Sequence, residues 1–298
     1  MKSKLNDICK NLNIEYMGIS NIGPYLELKE ILEMRNKEGY YTPFDGSDMD
    51  KKVDPKLTME NVKSIIVCLF PYLTDNMEKS NLSKYTHSID YHIIVKNKLN
   101  KIGEELEKEI DGFEYMSFVD TGPLVDRYLA YQAGLGFFGI NSHIITEKYG
   151  SYVFIGYILN NYPFEYDKPL DKTCVQCYRC VKACPGQIIL GDFNIDPKKC
   201  KSYLTQKKGE LPNDEEQIIK KTDLVFGCDV CQDVCPHNKN VEKTIIGDFK
   251  KDLIFNLDYE EISKMSNRGF KREYGNRAFS WRGKKPILRN LLYLENRE

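Results

Sequence analysis

Apolar positions recur along this chain in two rhythms. At 24–37 and 90–110 they return every three or four residues, the period of a helix packed on one side; at 63–72 and 114–119 they form short runs of strand length. The best apolar run, 64–70, is strand-sized and far short of the ~20 residues of a membrane helix. Cys68 lies inside it and reads as a small buried hydrophobe. The segments 142–146 and 152–159 flank a turn-sized piece containing Gly150 and predict a hairpin. A helix is expected near 124–133, with Asp120 as a candidate N-cap. Asn160, Asn161, Tyr162 and Pro163 then break the pattern and mark a boundary. Two further helical runs, 259–266 and 286–293, enclose a basic stretch.

Length fits about two domains, since 298 residues is roughly twice the usual domain size. Hydrophobic residues at 41% exclude a disordered chain. A net charge of −1 excludes nucleic-acid binding through bulk positive charge. The N-terminus has no apolar h-region, so the expectation is a soluble, cytoplasmic protein with no membrane segment.

Eight of the ten cysteines fall between 174 and 235. In a reducing cytosol, clustered thiols read first as metal ligands. Cys174, Cys177, Cys180 and Cys184-Pro185 have the spacing of bacterial-type ferredoxins, in which the fourth cysteine serves a second 4Fe–4S cluster. Cys228, Cys231 and Cys235-Pro236 repeat the last three members of that run, and Cys200 can replace the missing first. Pseudo-symmetry assigns Cys174, Cys177, Cys180 and Cys235 to one cluster and Cys184, Cys200, Cys228 and Cys231 to the other. Structural zinc is the alternative, but zinc ribbons have no need of the third cysteine or the Cys-Pro endings.

Longer motifs say what the clusters serve. FVDTGPLVDRYLAYQAGLGFFGINSHIIT and GSYVFIGYIL resemble the N-terminal domain of epoxyqueuosine reductases. CKSYLTQKKGELP, FGCDVCQDVCPHNK and SWRGKKPILRN continue the resemblance in order from about Gly39 to the C-terminus. It implies a cobalamin-dependent enzyme with two 4Fe–4S clusters that removes the epoxide oxygen of epoxyqueuosine at the wobble position of tRNA. An external electron donor of unknown identity and a monomer are expected with it. The implied fold is α+β: an N-terminal α/β cobalamin-binding domain (1–165), a ferredoxin-like two-cluster domain (166–240) and a short basic helical segment facing tRNA (241–298).

The resemblance makes Asp120 the proton donor, a role expected to need a pKa raised by burial. It places Lys52, Asp120, Ile144, Ile155, Ser202 and Phe226 against the corrinoid, with Asp229 close by; Lys52 stands where an arginine is expected. Asp90-x-His92 begins like a histidine-supplying cobalamin signature, but Val95 replaces its glycine. His92 therefore reads as structural or pocket-lining.

Between 268 and 289 the net charge is +7. Such a run is usually a solvated face. The resemblance makes Arg282, Lys284, Lys285 and Arg289, together with Lys208, candidates for tRNA phosphates, and Tyr274, Phe279 and Trp281 candidates for stacking on unpaired bases or for core packing. Longer relatives add a helical-repeat domain, so part of that surface is expected to be missing here. Two rival readings remain: a dehalogenase-like corrinoid reductase acting on a small molecule, and a non-catalytic electron-transfer ferredoxin fusion.

Overall fold

The apolar run at 64–70 becomes the centre of a sheet, buried along its whole length. The structure, a computed structural model, describes residues 1–46, 48–75 and 79–296. Its strands are β1 (Tyr16–Ser20), β2 (Ser64–Pro71), β3 (Tyr115–Val119), β4 (Phe137–Phe138), β5 (Ile144–Ile145) and β6 (Val153–Asn160). Four of them pair in the order β1-β2-β6-β3, antiparallel throughout.

Alternation along β2 explains why both of its faces are dry. Ile66, Cys68 and Phe70 pack with α1 (Lys2–Asn11) and α4 (Tyr91–Glu107). Ile65, Val67 and Leu69 pack with α2 (Leu26–Lys37) and α5 (Asp126–Gln132), which follows the short α3 (Met49–Val53) and α4 in the chain. Each such side chain contributes about 1.5–3 kcal/mol on burial. Helix α4 starts where the sequence places it, because the Asp90 carboxylate accepts the His92 N–H and caps its first turn.

The hairpin expected from 142–146 and 152–159 does not form. β6 is already paired along both edges, with β2 and β3. Ile144–Ile145 therefore pairs with Phe137–Phe138 as a separate two-stranded sheet.

The cysteine region carries only short helices: α6 (Arg179–Ala183), α7 (Lys201–Leu204), α8 (Asn213–Lys220) and α9 (Val230–Asp233). After it come α10 (Tyr259–Lys264), α11 (Asn267–Tyr274) and α12 (Lys284–Glu295). These build a third core in which Ile262, Phe270, Phe279 and Ile287 meet Leu82, Val225 and Phe226. The C-terminal stretch is thus wedged between the cysteine region and a loop of the first half. Among the described residues no helix is long and apolar enough to cross a membrane.

Candidate functional site

The eight cysteines gather in two groups. Cys174, Cys177, Cys180 and Cys235 line one small cavity with Ile140 and Pro236. In the other group, the Cys200 thiol feels the charge of Cys184, and Cys228 feels that of Cys200. Cys231 feels Cys228, Cys200 and Cys184, and more weakly Cys180. Local spacing brings together three sulfurs of the first group and two of the second, Cys228 and Cys231; packing of α6 beside α9 and the segment around Cys200 bring the rest. Burial pushes the Cys180, Cys200, Cys228, Cys231 and Cys235 thiols upward, Cys228 to about 12. They hold their protons until a metal displaces them.

Asp120 ends β3 in the left-handed region, at φ 54°. It is not a helix cap: α5 begins six residues later, after Val125. Its own N–H donates to Asp126 Oδ2 at 3.1 Å. The turn beyond it is pinned where the Leu124 N–H donates to the Tyr157 hydroxyl at 3.1 Å. A Cβ at Gly122 would sit 2.3 Å from that hydroxyl, so only glycine fits.

Three groups fix the charge of Asp120. The Tyr91 hydroxyl donates to Oδ2 at 2.9 Å. His92 Nε2 lies 3.3 Å from the same oxygen, while His92 Nδ1 is 2.7 Å from Asp90 Oδ1. Arg127 adds its charge. Burial alone would raise the Asp120 pKa; the His92 and Tyr91 hydrogen bonds and the two cationic charges outweigh it and hold the carboxyl below its usual value. The raised pKa expected for Asp120 is therefore corrected: this carboxylate is ionised at neutral pH. Its side chain is 59% accessible, so the pairing is solvent-screened and sets charge rather than stability.

The proton lies on its neighbours. Burial pushes His92 down, but hydrogen bonds to Asp120 and Asp90 lift it to about 9. Asp126, behind the loop, is raised to about 8 by burial and then by the Asp120 charge, and its Oδ1 is buried without a partner. Two adjacent carboxyls thus have pKa values pushed apart, the arrangement by which a site keeps one acid and one base. The sequence reading missed Asp126; its only local signal is its place at the first turn of a helix.

Tyr85, also missed, joins the halves of the site. Its ring lies 6.4 Å from Tyr91 and 6.3 Å from Phe226, and its hydroxyl bonds Ser202, two residues past Cys200. Asp120, Tyr91, Tyr85 and Ser202 therefore line one continuous wall that ends at the second cysteine group. Ile155 packs at the edge of the sheet's second core. Ile144 and Phe226 are 3% and 2% exposed, so their side chains act mainly as core. Both Asp229 oxygens are taken, by the Ser83 hydroxyl and the Lys84 N–H. Lys52 reaches the Gly46 carbonyl instead, at 3.3 Å, bracing the 40–46 loop. A recess of about 790 Å³ opens beside Leu82, Lys84 and Asp229, and neither Asp120, Tyr85 nor Ser202 lines it.

The basic segment divides. Arg289 is 6% exposed, and its guanidinium donates to the carbonyls of Leu204, Lys207 and Gly209. It is a strut, not a phosphate ligand. Lys284 is turned towards the end of α10, donating to the Ile262, Ser263 and Met265 carbonyls. Lys208 and Lys285 are exposed and Arg282 is half-buried. Tyr274 and Phe279 are core, whereas Trp281 is 52% exposed.

Comparisons with known proteins agree with this geometry. Residues 173–238 match the family described as 4Fe-4S double cluster binding domain, and residues 52–121 match "Epoxyqueuosine reductase QueG, DUF1730". An epoxyqueuosine reductase from Lactococcus garvieae is 34% identical over 98% of this chain and 86% of its own. A solved epoxyqueuosine reductase holding an epoxyqueuosine-modified tRNA-Tyr stem loop superposes with a TM-score of 0.89 at 32% identity, over 98% of this chain and 80% of that one. The Bacillus subtilis enzyme, solved with its catalytic aspartate loop swung out of the active site, gives 0.86 at 31% identity, over 98% and 80%. A catabolic reductive dehalogenase shares the fold alone, with a TM-score of 0.50 at 13% identity over 97% of this chain and 37% of that one.

Proposed function

The chain belongs to the epoxyqueuosine reductase family, and from that premise we propose how its own residues reduce epoxyqueuosine to queuosine in tRNA. Two 4Fe–4S clusters accompany the family's cluster domain. We assign Cys174, Cys177, Cys180 and Cys235 to one and Cys184, Cys200, Cys228 and Cys231 to the other, because the first four share a cavity and the second four lie close enough to bear on one another's ionisation. Thiolates suit iron as soft, charged donors. The wall of Tyr85 and Ser202, continuous with the Asp120 loop, would hold a corrinoid, with Ile155 nearby. Cobalamin, when bound there, supplies a strongly reducing low-valent cobalt.

Removing the epoxide oxygen takes two electrons and two protons and leaves an alkene and water. As the C–O bonds break, charge builds on oxygen and must be neutralised. Asp120 faces the cleft and is the group placed to deliver a proton there. Ionised at rest, it draws that proton from the His92 imidazolium, which Asp90 orients through Nδ1. Tyr91 holds the same carboxylate oxygen and limits its rotation. Asp126, neutral behind the loop, keeps a second negative charge out of the site.

The observation that carries this reading is the position of Asp120, hydrogen-bonded to a charged His92 and joined through Tyr91 and Tyr85 to the Cys200 segment. The test is to incubate cluster-loaded protein, cobalamin and a reductant with epoxyqueuosine-bearing tRNA and analyse its nucleosides. Queuosine is expected only with all components present. No conversion by protein carrying full iron and cobalamin would reject the reading.

A further inference from the structure

One solvent-facing cluster takes no part in the chemistry above. Trp281 and Phe44 are 52% and 41% exposed, large aromatic surface left in water. They are nonetheless held firmly. Phe44 meets the Trp281 ring edge-on at 5.4 Å and the Tyr203 ring at 5.0 Å. The indole Nε1–H donates to Gln206 Oε1 at 2.9 Å. The Arg282 guanidinium lies 3.9 Å from the Trp281 ring centre and 4.9 Å from that of Phe44. Arg282 Nε is buried there without a hydrogen-bond partner.

Three distant segments converge to build this patch: the 40–46 loop, α7 and the turn before α12. Lys52 and Arg35 hold the first, through the Gly46 and Tyr40 carbonyls. Two exposed lysines flank the patch residues in the chain. Exposed Lys208 follows Gln206 by two residues, and exposed Lys285 lies three residues past Arg282. Tyr203 is adjacent in sequence to Ser202, whose side chain bonds Tyr85 in the cleft wall. One turn of backbone thus carries the patch on one side and the site on the other.

A fixed exposed aromatic, a stacked guanidinium and flanking cations are what an unpaired nucleobase and its phosphates need. A protein partner would be expected to cover the aromatics with apolar side chains and leave the lysines unmatched. We propose that Trp281, Phe44 and Arg282 form a stacking platform for an unpaired base of the substrate RNA, next to the one that enters the cleft. This inference rests on the RNA-substrate reading and adds the place where the loop is gripped.

The chain has a single tryptophan, so indole fluorescence reports on the platform directly. The holoenzyme is titrated with a labelled anticodon stem loop while tryptophan emission and label anisotropy are followed together. Quenching that saturates with the anisotropy is expected, and weaker quenching with a fully paired RNA hairpin of equal length. Trp281→Ala should weaken loop binding about 5- to 150-fold, the range measured for base–aromatic stacking. Trp281→Phe should keep most of the affinity, and both variants should keep full iron content. Loop binding with silent tryptophan emission and parental affinity in Trp281→Ala overturns the platform and leaves the proposed reaction intact. Absence of any RNA binding overturns both.

Discussion

Replacing Asp90 by Asn tests the proton supply at the joint behind His92. Asn caps a helix as well as Asp does, so α4 keeps its first turn. The substitution removes one of the two carboxylates that hold the charge on His92 and leaves Asp120 in place. The rise of His92 from 6.5 to about 9 would represent roughly 3 kcal/mol if the pair were fully buried. The His92 side chain is 37% exposed, so solvent screens the pair and about 1–2 kcal/mol is realistic. Loss of one partner should lower the His92 pKa by about one pH unit. The sign follows from the raised pKa: the imidazolium persists at low pH and is lost as pH rises through about 9. Single-turnover deoxygenation rates, measured from pH 6 to 10, should therefore show a break at about 9 in the parent that moves about one unit lower in Asp90→Asn, beside the Asp126 ionisation near 8 that both proteins share. His92→Gln cannot be protonated and should show no such break. An unmoved break in Asp90→Asn, or a break near 9 surviving in His92→Gln, would refute the proton route.

Asp120→Asn should keep clusters and cobalamin yet slow deoxygenation by ~10²–10⁴-fold, the usual worth of a positioned acid; parental single-turnover rates would remove Asp120 from the role. Anaerobically prepared protein should contain about eight iron atoms per chain, and stoichiometric zinc in metal analysis without iron or sulfide would contradict the cluster assignment. Neutralising Lys208, Arg282 and Lys285 should flatten the salt dependence of tRNA binding by roughly one log–log unit per lost phosphate contact, read by titration across salt concentrations. Arg289→Met should instead leave that slope alone and lower stability by about 2–4 kcal/mol, seen as earlier thermal unfolding, because it strands buried carbonyls.

What could be read in the sequence was whatever depends on near neighbours. The ferredoxin spacing is a local rule, and the crossed assignment needs only the assumption that two halves mirror one another. β2 and α4 declare themselves by periodicity, and the Asp90 cap by its place before it. Asp120 came through resemblance, and its charge was misjudged because that depends on His92 and Tyr91, residues almost thirty positions earlier in the chain. Tyr85 and Asp126 matter through contacts that no window reveals. Arg289 was misread because a run of cations looks the same whether its members face water or carbonyls. The false hairpin has the same origin: whether 142–146 can pair with β6 depends on whether β2 and β3 have already filled its edges.

The strut on α12 has a consequence for the order of biosynthesis. Arg289 and its neighbour Asn290 together hold the carbonyls of Leu204, Thr205, Lys207, Gly209 and Val225. Those carbonyls belong to the segments that follow Cys200 and precede Cys228. The frame of the second cysteine group is therefore closed by residues some 85 positions later than the strand of backbone they secure. On the ribosome the first cysteine group can gather once Cys235 has emerged, but the second stays loose until the final helix has docked. Iron delivery to that half therefore depends on the docking of α12, and a lesion in that helix should surface as lowered iron content rather than as a faulty active site.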